Sequence, residues 1–284
     1  MPDAPPENET PGPGDVVRRH RLSTRLWHWV NAVAIIVLLM SGLSIFNAHP
    51  RLYWGSYGAN HDQAWLEIGG EGSRGFLRIA GAEMPTTGVL GRWTAHDGTI
   101  SDRAFPSWAT IPGYYSLAMG RLWHFFFAWI FALGWLGYAI WSLANRHVTR
   151  DLAPRRAELA PRRLWREITS HARLRLPSGA AALNYNILQK LSYLGVIFLL
   201  IPLMILTGLA MSPTMDAAWP WLLDIFGGRQ SARSIHFICA VLLVVFFIAH
   251  IAMVLLAGPV NEVRSMITGR FRLPGRRAPE ENAR

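Results

Sequence analysis

Four histidines lie inside long apolar stretches of this sequence: His28, His124, His236 and His250. Neutral imidazole is the commonest metal ligand among protein side chains. An ionisable side chain within a stretch long enough to cross a membrane also indicates a functional site, because burying it there costs free energy. The four histidines are therefore candidate metal ligands. The alternative, for any single one, is a hydrogen bond between helices.

The last apolar stretch carries two of these histidines, His236 and His250, 14 residues apart. In a helix this spacing corresponds to about 21 Å along the axis, and the two side chains point within about 40° of each other. One face of one helix would then present an imidazole near each side of a membrane. This arrangement predicts two stacked metal cofactors.

Four runs without a charged residue would supply the helices that position these side chains. Each run holds 24 residues or more, and about 20 apolar residues are enough to cross a bilayer. We predict an all-α integral membrane fold, a four-transmembrane-helix bundle, with helices at about 26–46, 121–143, 188–211 and 234–257. The length and hydropathy of the runs argue against buried helices of a soluble protein.

The net charge of +10 is explained by membrane topology. Basic residues concentrate before the first run, in residues 144–190 and after Gly258, whereas the other two loops are close to neutral. Because basic loops face the cytoplasm, we expect both termini and residues 144–190 on the cytoplasmic side of a bacterial inner membrane, with 47–120 and 212–233 outside. No nucleic-acid partner is needed. A basic amphipathic stretch within 144–190 predicts contact with membrane lipid.

The segments outside the runs define the domain organisation. Residues 1–16 are rich in proline and acids and predict a disordered tail, residues 17–269 form the membrane domain, and residues 270–284 form a basic cytoplasmic tail. Residues 47–120 form a long periplasmic insertion between the first two helices, with glycine-rich and alternating stretches that favour a small hairpin or sheet. The insertion would cap the outer cofactor or form a docking surface. The alternative is a decoration without a role in the chemistry.

Helix direction sorts the four histidines into two pairs. His28 and His250 lie at the inner side, and His124 and His236 lie at the outer side. If each pair binds a haem, its iron has two axial nitrogen ligands. This arrangement suits electron transfer and leaves no open position on the iron for oxygen chemistry. The sequence lacks the C-x-x-C-H motif of covalent haem attachment, so we predict two non-covalent haem b groups, each with two histidine ligands. A zinc or copper site is the alternative, and it would need three or four ligands at one depth.

Four further residues accompany the histidines at regular positions. The tetrapeptide Arg-Leu-Trp-His occurs twice, which places Arg25 and Arg121 three residues before the first and second of these histidines. Such cations could pair with haem propionates or anchor the helices at the membrane edge. Gly42 and Gly208 each follow a hydroxyl residue. A small residue there lets a flat cofactor or a neighbouring helix approach closely.

Taken together, these residues resemble the bacterial di-haem cytochrome b family, which includes b561-type cytochromes and the γ subunits of formate dehydrogenase, nickel–iron hydrogenase and thiosulfate reductase. The resemblance runs through all four helices. It rests on the motif Arg-Leu-Trp-His-Trp, the histidine that opens the second helix, the histidine pair of the fourth, and Tyr-Asn-Ile-Leu-Gln-Lys at 185–190. It implies that Asn186 borders a quinone site beside the inner haem, with Gln189 near it.

The resemblance implies an electron-transfer subunit of a respiratory oxidoreductase complex rather than its catalytic subunit. Electrons would pass between a periplasmic or membrane-attached catalytic partner, of the molybdopterin-containing kind, and the quinone pool. Two alternatives stay open from the sequence. Small members of the family oxidise superoxide and reduce quinone without a partner, and a non-redox membrane anchor or transporter would bind no haem.

Overall fold

The computed structural model describes residues 14–146, 148–172 and 187–273. This part of the chain is mostly helical. In chain order the helices are α1 (Leu22–Phe46), α2 (Leu117–Ala144), α3 (Pro161–Ala172), α4 (Ile187–Gly195), α5 (Ile201–Met211), α6 (Pro213–Ala218), α7 (Trp221–Ile225), α8 (Arg229–Ala257) and α9 (Pro259–Thr268). The strands are β1 (Val16–Arg18), β2 (Arg51–Leu52), β3 (Leu66–Glu71), β4 (Arg74–Ile79), β5 (Ala82–Pro85), β6 (Trp93–Thr94), β7 (Ile100–Ser101) and β8 (Arg270–Arg272).

Four helical stretches in the described ranges are long and apolar enough to cross a membrane: α1, α2, α8 and the combined stretch Ile187–Met211. Three of them begin four or five residues before the predicted bounds, at Leu22, Leu117 and Arg229. The predicted bounds follow the runs without charged residues. Helical backbone hydrogen bonding continues through the neighbouring charged residues, whose long side chains can reach the membrane surface. These three helices therefore extend beyond their apolar segments at their N-terminal ends.

The third membrane stretch is irregular at its centre. A π-helical segment, Val196–Leu200, separates α4 from α5, and Pro202 follows it in the first turn of α5. Proline has no N–H and cannot complete the helical hydrogen-bond ladder. The Nε1–H group of Trp135 on α2 donates to the carbonyl of Ile197 at 2.8 Å. A side chain of the neighbouring helix thus satisfies a carbonyl within the irregular segment.

Backbone packing divides the chain into two units. The central unit comprises Val30–Trp141 and Gly195–Val245. The terminal unit comprises the described parts of Met1–Trp29, Ser142–Leu194 and Phe246–Arg284. The predicted outer histidine pair falls within the central unit, and the predicted inner pair falls within the terminal unit.

The core of the central unit has a membrane part and an insertion part. Ala34, Phe131 and Ile201 pack together between α1, α2 and α5. A second cluster joins the end of α1 to the insertion, and Phe46 on α1 stacks on Phe237 of α8 with ring centroids 4.9 Å apart. The insertion therefore shares its core with two of the membrane helices.

In the terminal unit the two ends of the described chain are joined in one sheet. β1 pairs antiparallel with β8, and Val17 lies opposite Phe271. Arg19 forms an ion pair with Glu262 of α9 at 3.1 Å, and its guanidinium lies 4.5 Å from the ring centroid of Phe271. Both termini of the described chain consequently lie side by side.

The described chain begins inside the predicted tail of residues 1–16. The amide of Gly14 donates to the carbonyl of Leu273 at 3.1 Å, so backbone pairing starts before the predicted domain boundary. Likewise Arg270–Arg272, assigned by prediction to the C-terminal tail, forms β8. The remaining tail residues, 1–13 and 274–284, lie outside the described residues.

The insertion contains the sheet that its sequence favours. The all-α prediction therefore holds for the membrane helices and is wrong for the insertion. β2, β3, β4 and β5 form a four-stranded antiparallel sheet in that order. Arg51, Glu67, Arg78 and Glu83 face one another across successive strands, and they form ion pairs with N–O distances of 2.6–2.8 Å. Opposite charges in register on neighbouring strands favour this pairing over its alternatives.

Two glycines allow the segment after this sheet to cross its face at close range. A Cβ at Gly91 would lie 2.0 Å from the carbonyl oxygen of Gly69, and a Cβ at Gly75 would lie 2.3 Å from the carbonyl oxygen of Leu90. Side chains do not fit at either position. The glycine-rich composition of the insertion therefore serves compact packing.

The insertion also holds the first turns of α8. The carbonyl of Gly55 accepts hydrogen bonds from the amides of Gln230 and Ser231 at 3.0 and 3.1 Å, and the Gly55 amide donates to Ser231 Oγ at 2.7 Å. Arg233 donates to the carbonyl of His49. Amides of the first helical turn have no partner within the helix, so the insertion caps the helix that carries His236.

α3 has the amphipathic pattern that its sequence predicts. Trp165 and Ile168 lie on one side and are 68% and 45% exposed, whereas Arg162, Arg163 and Arg166 occupy the other side and are exposed. A helix of this kind suits the surface of a membrane with anionic lipids. Contact with lipid stays a prediction.

Candidate haem-binding site

The outer pair comes together as predicted. His124 projects from the first half of α2 and His236 from the first half of α8. Their ring centroids lie 6.3 Å apart, with an interplanar angle of 61°. A nitrogen ligand lies about 2.0–2.1 Å from a bound metal and the ring centre roughly 1.1 Å behind it, so two ligands on opposite sides of one iron have centroids about 6.3 Å apart. The separation fits an iron held between the two rings.

Hydrogen bonds fix which nitrogen of His124 is free to bind iron. Its Nδ1 lies 3.1 Å from both the Leu38 carbonyl and Ser41 Oγ. A carbonyl can only accept, so Nδ1 carries the proton. The hydroxyl of Ser41 donates to the Val37 carbonyl at 2.6 Å, and its oxygen therefore also accepts from Nδ1. Nε2 is left unprotonated, as a metal ligand must be.

His236 is oriented in the same way by α5. Its Nδ1 lies 2.9 Å from Thr207 Oγ1, while the hydroxyl of Thr207 donates to the Leu203 carbonyl at 2.5 Å. The hydroxyl proton is thus used within the helix, and the oxygen accepts from Nδ1–H. Both outer histidines are consequently held as the tautomer that offers Nε2.

The two predicted glycines lie against these rings. A Cβ at Gly42 would lie 3.4 Å from Cε1 of His124, and a Cβ at Gly208 would lie 3.5 Å from Cε1 of His236. The small residue therefore admits the histidine ring of a neighbouring helix, and direct contact of these glycines with a cofactor stays a prediction. Ser41-Gly42 on α1 and Thr207-Gly208 on α5 have the same role: the hydroxyl residue orients a histidine ring, and the glycine leaves space for it.

The inner pair also comes together, with a different environment. The rings of His28 and His250 have centroids 6.4 Å apart and an interplanar angle of 54°, which fits one iron equally well. Trp29 packs edge-on against His28, and Phe246 stacks on His250. Nδ1 of His28 is buried and lacks a hydrogen-bond partner among the described residues. An orphaned ring nitrogen is costly in an apolar site, and within the described ranges His28 lacks the orienting hydrogen bond that each outer histidine has.

The two predicted arginines contact other protein groups. Arg25 donates to the carbonyl of Ile267 at the end of α9 and packs against Gly269, where a Cβ would lie 3.1 Å from its Nη1. Its Nε atom is buried and has no partner among the described residues. The guanidinium of Arg121 lies 5.5 Å from the ring centroid of Phe125. Pairing of either arginine with a propionate stays a prediction.

His20 lies next to Arg25 and just before α1. Burial, together with the nearby Arg19, His28 and Arg25, lowers the pKa of His20 from 6.5 to about 4. The imidazole of His20 is therefore neutral at physiological pH. The positive charge at this end of the helix comes from its arginines.

The predicted quinone residues are described only in part. Asn186 lies outside the described residues. Gln189 lies in the first turns of α4, beside Lys190, whose ammonium donates to Glu158 at 3.0 and 3.2 Å. Backbone donation from Arg155, then the bond from Lys190, lowers the pKa of the Glu158 carboxyl. This ion pair joins the linker between the second and third membrane stretches to the start of the third.

Each predicted site offers two histidines. Over the described ranges of the chain, His, Cys, Asp and Glu form no group of three or more that could hold a metal ion. A structural zinc site takes four protein ligands and a catalytic one takes three. The donor sets present here are pairs of imidazoles, which suit a haem whose macrocycle supplies the other four ligands.

Sequence reasoning missed the orienting role of Ser41, Thr207 and the Leu38 carbonyl. The available signal was a hydroxyl residue directly before glycine in two membrane helices that themselves lack an outer histidine. It also gave no partner for Arg233, which lies one turn before His236 with its guanidinium 5.6 Å from the ring centroid of Phe46. These contacts join residues far apart in sequence.

Comparison with known proteins identifies the family of this chain. The profile of the prokaryotic cytochrome b561 family matches residues 19–269. A probable Ni/Fe-hydrogenase B-type cytochrome subunit of Cupriavidus necator is 27% identical over 258 residues, which cover 86% of this chain and 82% of the relative. A putative protein-methionine-sulfoxide reductase subunit YedZ1 of Azospira oryzae is 25% identical over 232 residues, which cover 82% and 87%.

A further relative, a probable Ni/Fe-hydrogenase B-type cytochrome subunit of Azotobacter vinelandii, is 23% identical over 236 residues, which cover 80% of this chain and 75% of the relative. The family profile extends through all four membrane stretches, and the resemblance predicted from the sequence is confirmed. The chain therefore belongs to the prokaryotic cytochrome b561 family.

Proposed function

We propose that this protein is a membrane-bound di-haem b-type cytochrome subunit that transfers electrons between a catalytic oxidoreductase partner outside the membrane and the quinone pool. Membership of the family accounts for binding of haem b. The observation that carries the di-haem proposal is the pair of matched separations, 6.3 Å for the outer histidines and 6.4 Å for the inner ones. Haem supplies reversible one-electron chemistry when bound.

The residues of this chain have three tasks in that function. The imidazoles of each pair would hold a haem iron and leave no position on it for oxygen. Ser41 and Thr207 fix the outer rings and, by accepting from Nδ1–H, make them more basic ligands. The apolar faces of the helices exclude water, which affects the potential at which the iron accepts an electron.

The partner and the quinone are inferred from relatives and resemblance. The names of the relatives place them as subunits of a hydrogenase and of a methionine-sulfoxide reductase, which supports a catalytic subunit as the partner. The sequence resemblance implies a molybdopterin enzyme on the periplasmic side and quinone near Asn186 and Gln189. The positive-inside pattern supports cytoplasmic termini and a periplasmic insertion in the bacterial inner membrane.

Electron transfer across the membrane can be tested in proteoliposomes. Oriented protein would receive electrons from a membrane-impermeant donor outside, with decylubiquinone in the bilayer and a potential-sensitive dye. We expect turnover to generate a membrane potential if electrons run inward and quinone takes protons from the inner side. The His250→Ala variant should accept electrons from the donor but fail to reduce quinone. Quinone reduction without any membrane potential would contradict this direction of transfer.

Replacing Thr207 by valine should raise the midpoint potential of the outer haem alone. The change removes an acceptor from Nδ1–H of His236, so the ring becomes a weaker donor and stabilises ferric iron less. A net hydrogen bond contributes about 0.5–1.5 kcal/mol, which corresponds to roughly 20–60 mV for one electron. A spectroscopic redox titration measures the shift. Thr207→Ser, which keeps the hydroxyl, should titrate like wild type, and an equal shift of both haems would contradict the assignment.

A further inference from the structure

We propose that the insertion is the electron-exchange port of the outer haem site, with Trp54 and Trp65 coupling the protein surface to His236. This inference rests on the proposed function, because it requires an iron between His124 and His236. The insertion would then carry electrons to the outer haem site, in addition to packing against the membrane helices.

The inner half of the route is a hydrogen bond to the ligand-bearing helix. Nε1–H of Trp65 donates to Ser234 Oγ at 2.9 Å, and the hydroxyl of Ser234 donates to the Tyr53 carbonyl at 2.5 Å. Ser234 is fully buried and lies two residues before His236 on α8. One hydrogen bond and a short stretch of backbone therefore separate the Trp65 indole from an iron ligand.

The outer half of the route is an aromatic stack that reaches solvent. The rings of Trp54 and Trp65 have centroids 5.8 Å apart and an interplanar angle of 20°, the offset-stacked geometry in which π systems interact favourably. Trp54 is 55% exposed, and the nearby Tyr57 is 89% exposed. The two tryptophans thus connect the surface to the buried hydrogen bond without a gap.

The stack is held rigidly on α8. Gly55, directly after Trp54, accepts from two amides of the first turn of α8 and donates to Ser231. Gly228 has φ +106°, and a Cβ there would lie 2.7 Å from the Gly55 carbonyl oxygen. Close backbone contact on both sides fixes the position of Trp54. The surface aromatic residue is therefore a fixed part of the site.

The chemistry at this port is the transfer of one electron. A reduced one-electron redox protein that docks over Trp54 loses an electron, and ferric iron between His124 and His236 becomes ferrous. No bond forms or breaks, and no proton needs to move. The same route serves the reverse direction when the partner is the acceptor. Exposed aromatic side chains suit such docking because they are enriched in the centres of protein interfaces.

A tethered photoreductant tests the route without the partner. The variant Tyr57→Cys would be labelled with a ruthenium tris-bipyridine complex. The native Cys239 is buried, so the label should attach selectively. After a laser flash, the rate of haem reduction is read from the Soret band. We expect the rate to fall about tenfold or more with Trp65→Leu, and to a smaller extent with Trp65→Phe, which keeps a ring but removes the N–H donor.

Matched variants make the outcome decisive. Trp93 is a buried tryptophan of the same insertion whose Nε1–H donates to the Arg103 carbonyl, so Trp93→Phe should leave the rate unchanged. Trp54→Leu removes the stack at the surface and leaves the bond to Ser234, and it gives a second test if Trp65→Leu fails to fold. Haem content and thermal unfolding are measured for each variant. Equal rates in wild type and Trp65→Leu, at equal haem content, would overturn the port.

The experiment separates this inference from the proposed function. Wild-type protein without bound haem would refute the proposed function before any rate is measured. Haem that is present, with a rate insensitive to Trp54 and Trp65, would refute the port and leave the function intact. Combining each variant with His250→Ala removes the inner haem, so that the observed rate belongs to the outer one.

Discussion

Replacing His236 by alanine is expected to remove one of two haems and to leave the other in place. The variant would remove one of the two imidazoles proposed to hold the outer iron, while the inner pair, 6.4 Å apart in the terminal unit, keeps both. His250→Ala should remove the other haem. Haem content per chain, with a redox-titrated spectrum, measures the result. Each variant should retain one component of the wild-type titration, and the two retained components should differ.

Double variants test the pairing itself. His124→Ala combined with His236→Ala should lose no more haem than either single variant, because both histidines serve one iron. His236→Ala combined with His250→Ala should lose both haems. His61→Ala, an exposed histidine of the insertion, is the matched control and should retain both. Loss of neither haem in His236→Ala and His250→Ala would refute the ligand assignment.

Replacing Gly208 by leucine is expected to abolish the outer haem, whereas Gly208→Ala should be tolerated. A Cβ at Gly208 would lie 3.5 Å from Cε1 of His236, an ordinary contact, but the further atoms of leucine would occupy the space of the ring. Forcing such atoms into a packed site costs about 1–3 kcal/mol. Rotation of His236 away from its partner relieves that cost, and iron binding is then lost. Haem content of the purified variants measures the effect.

Gly42→Leu provides a parallel test on the opposite side of the same iron. A Cβ at Gly42 would lie 3.4 Å from Cε1 of His124, so the same haem should be lost and the inner haem kept. Gly134, where a Cβ would meet nothing within 4 Å, is the matched control in a membrane helix, and Gly134→Leu should retain both haems. A Gly208→Leu variant with two haems and an unshifted spectrum would show that the glycine does not support the histidine.

The four helices, and the histidines that come together in pairs, were predictable because their signals are local. Each of the four histidines stands in a charge-free run, and helix direction alone assigns its depth. Their pairing follows from these two facts, and both pairs have the separation that one iron requires. The glycine positions were also visible as a repeated pattern, although the pattern did not say which group they admit.

The contacts that orient the site could not be read from the sequence. Ser41 meets His124 across 83 residues, and Ser234 meets Trp65 across 169. Such contacts depend on the rotation of each helix about its axis and on where the insertion packs. The hydrophobic periodicity of a segment predicts neither of these. Pro202 predicts an irregular helix, yet nothing near it indicates that Trp135 supplies the missing donor. The role predicted for Asn186 rests on resemblance alone, and this residue lies outside the described residues.

The pairing of β1 with β8 has a consequence for biosynthesis. A ribosome makes the chain from its N-terminus, so β1 has no partner until Arg270–Arg272 has been translated. Contacts between residues so far apart form late, because closing a long loop costs conformational entropy. The unit that holds His28 and His250 draws on both ends of the chain, whereas His124 and His236 need neither. The inner histidine pair is consequently the later of the two to be assembled.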